Sequence, residues 1–141
     1  MIKKLNIFTD GGARGNPGPS AIGIFIKDEN GHRIASFGKK IGNSTNNIAE
    51  YKAVIYALSW IIENKKELSE DVRIDFFLDS NLVYSQIVGV FKIKSSELRS
   101  LLFKVREKES EIRAPINYSY IPREKNKEAD KEVNLALDSE P

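Results

Sequence analysis

The chain has 141 residues, of which 40% are hydrophobic and 30% charged, as is typical of a globular protein with a sizeable core. Its 22 basic and 20 acidic residues leave a net charge of +2, which excludes a polybasic nucleic-acid arm, so a nucleic-acid partner would need local patches. The absence of cysteine excludes a disulfide framework, a thiolate zinc site and a cysteine nucleophile.

No apolar stretch reaches the length of a membrane span, and the first residues, MIKKLNIFTDGG, contain no continuous apolar run. We therefore expect no signal peptide, no membrane partner and, by default, an intracellular, cytoplasmic location. The length indicates one domain over residues 1–141, for which we expect a monomer.

The first part of the chain predicts an antiparallel meander. Alternating apolar residues indicate a strand over 4–10, and the Gly- and Pro-rich stretch 11–19 indicates a loop. Residues 20–28 are apolar enough for a mostly buried strand, and 33–42 are expected to return beside it. The Asn30-Gly31 pair between them favours a two-residue hairpin turn.

The rest of the chain predicts alternating helices and strands. The expected elements are a helix over 46–63, a strand over 72–79, helices over 80–89 and 95–111, a strand over 115–123 and a helix over 124–138. Thr45 or Asn46 is a plausible N-cap of the first helix, and Gly89 is expected to close the second. Residues 138–141 are expected to fray. This order indicates a mixed α/β fold.

Two of the predicted strands end on an aspartate, one at Asp10 and the other at Asp79. Because the helix over 46–63 can act as a crossover, these strands are expected to be parallel neighbours. Their carboxyl ends then share one edge of the sheet, where sites form in open α/β sheets. An aspartate before a tight turn or a helix is also common without any catalytic role, so each alone is a weak signal.

Two further carboxylates lie on predicted helices. Glu50 is in line with the buried stripe of Val54, Ala57 and Ile61, and a buried carboxylate is costly unless it is paired or metal-bound. The alternative is that Glu50 leans to water near the helix start. Asp130 borders an apolar face in the last helix, where a solvated aspartate is the ordinary interpretation.

Two carboxylates at strand ends and two on flanking helices suit hard cations. Like charges so close together cannot all stay ionised without a counter-charge, which a divalent metal supplies. Mg²⁺ typically takes few protein carboxylates and completes its shell with waters and phosphates. Two such ions about 3.5–4 Å apart stabilise both the attacking and the leaving oxygen of a phosphoryl displacement.

Four stretches of the sequence are recognisable together and cover nearly the whole domain. They are FTDGGARGNPGP at 8–19, STNNIAEYKAVIYAL at 44–58, LDSNLVYSQI at 78–87 and PREKNKEADKEVNLAL at 122–137. In these stretches, and in their order, the chain resembles the type 1 ribonuclease H family. The resemblance implies an α/β fold with a mixed five-stranded sheet, three antiparallel strands followed by two parallel ones, flanked by helices.

The resemblance also implies an endoribonuclease. Such enzymes hydrolyse the RNA strand of RNA·DNA hybrids with two Mg²⁺ ions, for which Mn²⁺ can substitute, and leave 5′-phosphate and 3′-hydroxyl ends. Metal ligation and catalysis are implied for Asp10, Glu50, Asp79 and Asp130, with Asp10 as the best candidate to bridge both ions. Water would be activated by metal rather than by a protein base, since no triad or His/Cys pair is visible.

Hybrid contacts are implied for a second group of residues: Gly11, Gly12, Asn16, Thr45, Asn46, Asn47 and Asn81. Most of these would face the minor groove, where 2′-hydroxyls distinguish RNA from DNA. Thr45 resembles a residue that helps to hold a DNA-strand phosphate.

Many relatives carry a histidine in a longer loop before the last carboxylate. Here the only histidine is His32, which is expected to be exposed beside the hairpin turn. Arg123, or else Glu124, is nearest to the position of that histidine, as in a short-loop, Arg-bearing subgroup. Our hypothesis is that Arg123 assists at the scissile phosphate. Unchanged turnover in Arg123→Ala would exclude it, and an ordinary exposed arginine is an equal alternative.

Some relatives also have a lysine-rich handle that grips the hybrid. This chain lacks it, so weaker and more salt-sensitive hybrid binding is expected. Lys92, Lys94 and Arg99 could form a smaller phosphate-contacting patch, with Phe91 against the backbone of the hybrid. The alternative is solvated charges around a core residue.

Two other functions remain as rivals. A non-catalytic module that binds RNA·DNA hybrids or double-stranded RNA would gain nothing from clustered negative charge facing phosphates. A resolvase or transposase catalytic domain is disfavoured by the absence of extra DNA-binding segments. Double-stranded RNA stays open as a second substrate.

Overall fold

A computed structural model describes residues 1–139 of the chain. Its elements, in chain order, are β1 Ile2–Ala13, β2 Gly18–Lys27, β3 Arg33–Ser44, α1 Asn46–Glu63, β4 Leu68–Leu78, α2 Asn81–Ile87, α3 Ser96–Ser110, β5 Ile116–Tyr120 and α4 Lys127–Asp138. Short 3-10 turns over Lys65–Glu67 and Arg123–Lys125 precede β4 and α4.

The five strands form one mixed sheet in the order β3-β2-β1-β4-β5. β2 runs antiparallel to both β1 and β3, whereas β4 runs parallel to both β1 and β5. Phe8 pairs with Phe77, and Thr9 with Leu78. This arrangement confirms the predicted fold class and brings the carboxyl ends of β1 and β4 to the same edge.

Alternation along the strands explains where the core lies. Leu5 and Ile7 of β1 and Ile74 and Phe76 of β4 face the same side of the sheet, and all four are fully buried. α1 packs against this side with a fully buried apolar stripe: Val54, Ala57, Leu58 and Ile61. Each buried Val, Leu, Ile or Phe side chain among them stabilises the fold by about 1.5–3 kcal/mol relative to its exposed state.

α4 packs on the opposite side of the sheet, over β2 and β3, because two glycines leave room for it. A Cβ at Gly23 would overlap the carbonyl oxygen of Ala129, and one at Gly38 would overlap that of Glu132. The helix backbone thus lies directly on the strands, and this close approach sets the height of α4 above the sheet.

The prediction of a loop over residues 11–19 is mostly wrong. Gly11, Gly12 and Ala13 continue β1 and pair with residues of β2, and only residues 14–17 lie between the two strands. Glycine is a poor strand former by itself, but here its backbone groups are bonded on the neighbouring strand.

The prediction of a two-residue hairpin turn at Asn30-Gly31 is also wrong. The connection is a five-residue loop over 28–32, in which the Asp28 carboxylate accepts the backbone N–H groups of Asn30 and His32, each at 2.9 Å. Gly31 alone takes the left-handed conformation, with φ +80. A side chain therefore completes the turn that the dipeptide was expected to make alone.

The last strand and the last helix are shorter than predicted. Ile121 still donates its N–H to Leu78 at 2.8 Å, but Pro122 has no N–H to continue the ladder. Residues 123–125 form the 3-10 turn, so α4 begins at Lys127 rather than at 124.

Two predicted helix ends are confirmed. Thr45 is the N-cap of α1 and accepts the N–H of Ile48 at 3.2 Å. Gly89, with φ +86, follows the end of α2, and its N–H donates to Gln86. The frayed end predicted over 138–141 lies partly outside the described residues, and Asp138 still belongs to α4. Among residues 1–139, every helix is too short or too polar to cross a membrane.

Candidate active site

Three carboxylates meet at the edge where β1 and β4 end. Asp10 is near the end of β1, Asp79 directly follows β4, and Glu50 lies in the second turn of α1. One carboxylate oxygen from each lies within 4.8 Å of the other two. Asp10 is only 6% exposed and Glu50 only 4%. The predicted meeting of Asp10 and Asp79 is thus observed. Glu50 is buried in line with the apolar stripe of α1, as its spacing predicted, and does not lean to water.

Gly11 explains why Glu50 is beside Asp10. A Cβ at Gly11 would overlap the carbonyl group of Ala49 and the backbone nitrogen of Glu50. Without that Cβ, the first turns of α1 rest directly on β1. The glycine next to Asp10 therefore fixes the distance between the strand and the helix that bears Glu50.

Burial and mutual repulsion dominate the electrostatics. Burial, with the charges of Asp79 and Asp130, raises the pKa of Asp10 to about 7, although a hydrogen bond from Glu50 opposes this. Burial and the Asp10 charge raise the pKa of Glu50 well above its usual range. The hydrogen bond between the two carboxyl groups adds to the rise in the pKa of Glu50 and opposes the rise in that of Asp10.

The site contains unsatisfied acceptors. Oε2 of Glu50 and Oδ1 of Asp79 are buried and have no hydrogen-bond partner within the described chain. A buried acceptor without a partner is costly, and a divalent cation would satisfy both. Carboxylate oxygens are also the donors that hard cations prefer. The cluster of Asp10, Glu50 and Asp79 can therefore hold a metal.

Asp130 and Arg123 line the same cleft of about 350 Å³. Asp130 is half-buried on the first turn of α4 and lies outside the closest group of three, yet its charge raises the pKa values of both Asp10 and Asp79. Burial also raises the pKa of Asp79, and the Arg123 charge opposes that rise. Roles for Asp130 and Arg123 stay predictions.

The predicted hybrid contacts divide into two groups. Gly11, Gly12, Asn46 and Asn47 line the cleft together with Asp10, Glu50 and Asp130, whereas Asp79 lies beside its lining residue Ser80. Asn16, Thr45 and Asn81 do not line it. Asn16 accepts the backbone N–H of Asn46 at 3.0 Å and so lies beside the mouth of the cleft.

Asn81 is exposed at the start of α2, where its Oδ1 accepts the hydroxyl of Ser85 at 3.2 Å. Since α2 follows Asp79 after one residue, Asn81 still belongs to the same edge of the sheet.

Asn126 is the residue that sequence reasoning missed. It is 1% exposed, and its Nδ2 donates to the Thr9 carbonyl and to Oδ2 of Asp79, both at 2.9 Å. The only local signal is an asparagine before a helix, which indicates an N-cap. Its side chain makes no cap bond to α4 and instead holds one oxygen of Asp79, which leaves the other oxygen free.

Two other features match the departures noted in the sequence. His32 is exposed in the β2–β3 loop, 3.7 Å from Asp28 and remote from the cleft, as expected. In the described chain, residues 88–95 connect α2 to α3 without a helix. Phe91 is 45% exposed there, so it is not a core residue, and Lys92, Lys94 and Arg99 are exposed around it.

The raised pKa values predict how stability depends on pH. The folded state binds more protons than the unfolded state between pH about 4 and 7, because the pKa of Asp10 rises from 3.8 to about 7 and the raised pKa of Glu50 acts in the same direction. The stability contributed by these protons is present below pH 4 and is lost as the pH rises through 7. The metal-free protein should therefore lose stability over this range.

Thermal unfolding in a chelator, from pH 4 to 8, measures this effect, with Glu50→Gln as the matched control. The difference in melting temperature between the wild type and the variant should change with pH, to the disadvantage of the wild type at high pH. Excess divalent cation should raise the melting temperature of the wild type more than that of the variant. A difference in melting temperature that does not vary with pH would contradict the raised pKa values of Asp10 and Glu50.

Comparison with known proteins gives consistent matches over the whole described fold. The model of the family described as "Reverse transcriptase-like" matches residues 8–136. The crystal structure of LC11-RNase H1 in complex with RNA/DNA hybrid is 40% identical, with a TM-score of 0.89 over 95% of this chain and 96% of that chain. RNase H1 from the halophilic archaeon Halobacterium salinarum NRC-1 is 33% identical, with a TM-score of 0.88 over 96% and 98% of the two chains.

A curated relative is longer than this chain. The "Bifunctional protein Rv2228c" of Mycobacterium tuberculosis is 35% identical over 137 residues, which are 96% of this chain but 36% of the relative. The chain thus spans about a third of that protein's length.

Proposed function

The chain belongs to the type 1 ribonuclease H family, and from this premise we propose that it is a metal-dependent endoribonuclease that hydrolyses the RNA strand of RNA·DNA hybrids. The main support is the cluster of Asp10, Glu50 and Asp79 at the edge of the sheet, beside the cleft, with two buried carboxylate oxygens that lack partners. The bound RNA/DNA hybrid in LC11-RNase H1, at 40% identity, supports the same class of substrate.

Two Mg²⁺ ions, or Mn²⁺ in their place, are the proposed cofactors. Asp10, Glu50 and Asp79 would hold them, and Asp130 on the facing wall of the cleft would complete the donor set. The ions supply the positive charge that activates water and stabilises the attacking and leaving oxygens of the phosphodiester. Water attacks phosphorus and the P–O3′ bond breaks, so one product ends in a 5′-phosphate and the other in a 3′-hydroxyl.

The protein side chains position this chemistry. Asp10 interacts with both Glu50 and Asp79, which makes it the best candidate to bridge the two ions. Asn126 holds Oδ2 of Asp79, so that Oδ1 is presented to the site. Arg123 is exposed on the wall of the cleft, near enough to Asp79 for its charge to oppose the rise in the pKa of Asp79, and from there it can approach a phosphate.

Hydrogen bonds inside the protein favour donation to the hybrid. Oδ1 of Asn46 accepts the Ala13 N–H, and Oδ1 of Asn16 accepts the Asn46 N–H, so each amide keeps its NH₂ group free for a ligand. Acceptors in the minor groove, including 2′-hydroxyl oxygens, suit such donors. Thr45 already accepts the Ile48 N–H, and its hydroxyl hydrogen can therefore be donated to a phosphate.

Product mapping with four substrates tests the proposal. The protein is incubated with Mg²⁺ or Mn²⁺ and with an RNA·DNA hybrid, single-stranded RNA, double-stranded RNA or double-stranded DNA, each of one sequence. We expect internal cuts in the RNA strand of the hybrid, 5′-phosphate ends on the downstream fragments and no cut in double-stranded DNA. The double-stranded RNA sample decides whether that substrate is accepted.

Binding of the hybrid without cleavage in either metal would contradict the proposal and support the non-catalytic binding module. Ends with a 2′,3′-cyclic phosphate would contradict the mechanism, since they require attack by the 2′-hydroxyl rather than by water.

A further inference from the structure

A buried hydrogen bond joins the two helices that flank the carboxylate cluster. Tyr51 follows Glu50 on α1, is fully buried, and donates its hydroxyl to Oε1 of Gln86 on α2 at 2.7 Å. Gln86 is itself only 6% exposed. Within residues 1–139, this is the one hydrogen bond between side chains of α1 and α2.

α2 depends on such contacts because it is short. It has seven residues, and helices below about 12 residues are marginal without tertiary contacts. Of its four buried side chains, Val83 and Ile87 are apolar, whereas Ser85 and Gln86 are polar. Apolar packing tolerates rotation of a helix, but a buried hydrogen bond requires a defined direction.

A second contact holds the same end of α2. Arg106 of α3 donates to the carbonyl of Ile87, the last residue of α2, where a positive charge is favourable. Glu109 holds Arg106 at 2.9 Å and accepts the hydroxyl of Tyr118 at 2.6 Å. The carboxyl end of α2 is thus bonded to both α1 and α3.

The amino end of α2 faces the site. Asp79 precedes the helix, Ser80 caps it by accepting the Val83 N–H at 3.2 Å, and Asn81 is its first residue. Tyr51 and Gln86 do not line the cleft, so any effect they have on the site must pass through α1 and α2, which carry Glu50 and Asn81.

We propose that Tyr51 and Gln86 are positioning residues, whose hydrogen bond fixes the orientation of α2 and thereby sets Asp79 and Asn81 relative to Glu50. The role in metal binding rests on the proposed function.

Three variants test this: Tyr51→Phe, Gln86→Met and the double variant. Each single change leaves one buried polar group without its partner and should lower the melting temperature, whereas the double change removes both groups and should regain most of the loss. Orientation of α2 is not regained in the double variant. We therefore expect all three to bind Mn²⁺ about tenfold more weakly than the wild type.

Two measurements separate positioning from stability. Calorimetric titration gives the Mn²⁺ affinity, and amide chemical shifts of Ser80 and Asn81 in the metal-free protein report the orientation of α2. Both should change in the double variant although its stability has recovered. The control is Val72→Ala on β4, about 23 Å along the strand from Asp79, which should lose stability without altering either measurement.

Mn²⁺ affinity that recovers together with stability in the double variant would overturn the proposal, as would unchanged amide shifts or a wild type that binds no Mn²⁺. Neither measurement needs turnover. A wild type that binds Mn²⁺ but cleaves no hybrid would refute the proposed function, and the comparison of Mn²⁺ affinities would still decide the role of Tyr51 and Gln86.

Discussion

Asp10→Asn is expected to lower the kcat/KM for hybrid cleavage by at least about a thousandfold and, at the same time, to stabilise the metal-free protein. Activity falls because, under the proposed function, Asp10 would hold the catalytic metal together with Glu50 and Asp79, with both of which it interacts. Stability rises because the substitution removes a buried charge from a cluster of like charges. With a pKa of about 7, Asp10 is ionised at pH 8, and the gain there is on the order of 2–4 kcal/mol.

Steady-state kinetics and chemical denaturation in a chelator at pH 8 measure the two effects. Asp75→Asn is the matched control. Asp75 lies on β4, four residues before Asp79, but it pairs with Lys4 at 3.3 Å instead of facing the cleft. Asp75→Asn should neither lower the kcat/KM for hybrid cleavage a thousandfold nor stabilise the metal-free protein. An Asp10→Asn variant that keeps its activity, or that is less stable than the wild type in chelator, would contradict the electrostatic account of the site.

Gly11→Ala is expected to cost about 3 kcal/mol of stability or more, because the added methyl group overlaps the backbone of α1 at Ala49 and Glu50. Neither backbone segment can move without separating β1 from α1. Hybrid cleavage should fall about 100-fold in the molecules that still fold, because Glu50 is displaced from Asp10.

The neighbouring glycine provides the control. A Cβ at Gly12 would meet only the side chain of Val133, at an ordinary 3.5 Å, so Gly12→Ala should change stability by less than about 1 kcal/mol. Denaturation curves of the two variants test the comparison. Equal stability of Gly11→Ala and Gly12→Ala would show that the close approach of α1 to β1 is not what places Glu50.

The positions of three of the carboxylates can be predicted from the sequence, because local patterns determine them. Asp10 and Asp79 each follow an alternating apolar run in the sequence, and a crossover helix makes parallel neighbours of the two strands. Glu50 follows from helical spacing, since it shares a face with residues that must be buried. These three positions need no knowledge of distant contacts.

Other features depend on contacts between distant segments and were mispredicted or missed. Gly11 and Gly12 resemble turn residues, but they extend β1 because β2 supplies the hydrogen bonds. Asn126 has the sequence signal of an N-cap, yet its side chain turns to Asp79, 47 residues away. The bond between Tyr51 and Gln86 spans 35 residues and leaves no periodic trace.

The position of Asp130 is an intermediate case. Its helix is predictable from spacing, but its height above the sheet is set by Gly23, where α4 rests on β2. A small residue in a strand indicates close packing without identifying the partner. Asp130 could therefore be proposed as a fourth carboxylate from the resemblance, whereas its position outside the closest group of three emerges only from the structure.

The metal dependence of RNA-strand cleavage tests the central claim most directly. A hybrid with a 5′-labelled RNA strand is incubated with the protein in Mg²⁺, in excess chelator, and after Mg²⁺ is added back, with Asp10→Asn alongside. We predict cleavage in Mg²⁺, none in chelator, full recovery on addition of Mg²⁺ and none with the variant. Cleavage that persists in chelator, or in Asp10→Asn, would contradict the assignment of the carboxylate cluster as a catalytic metal site.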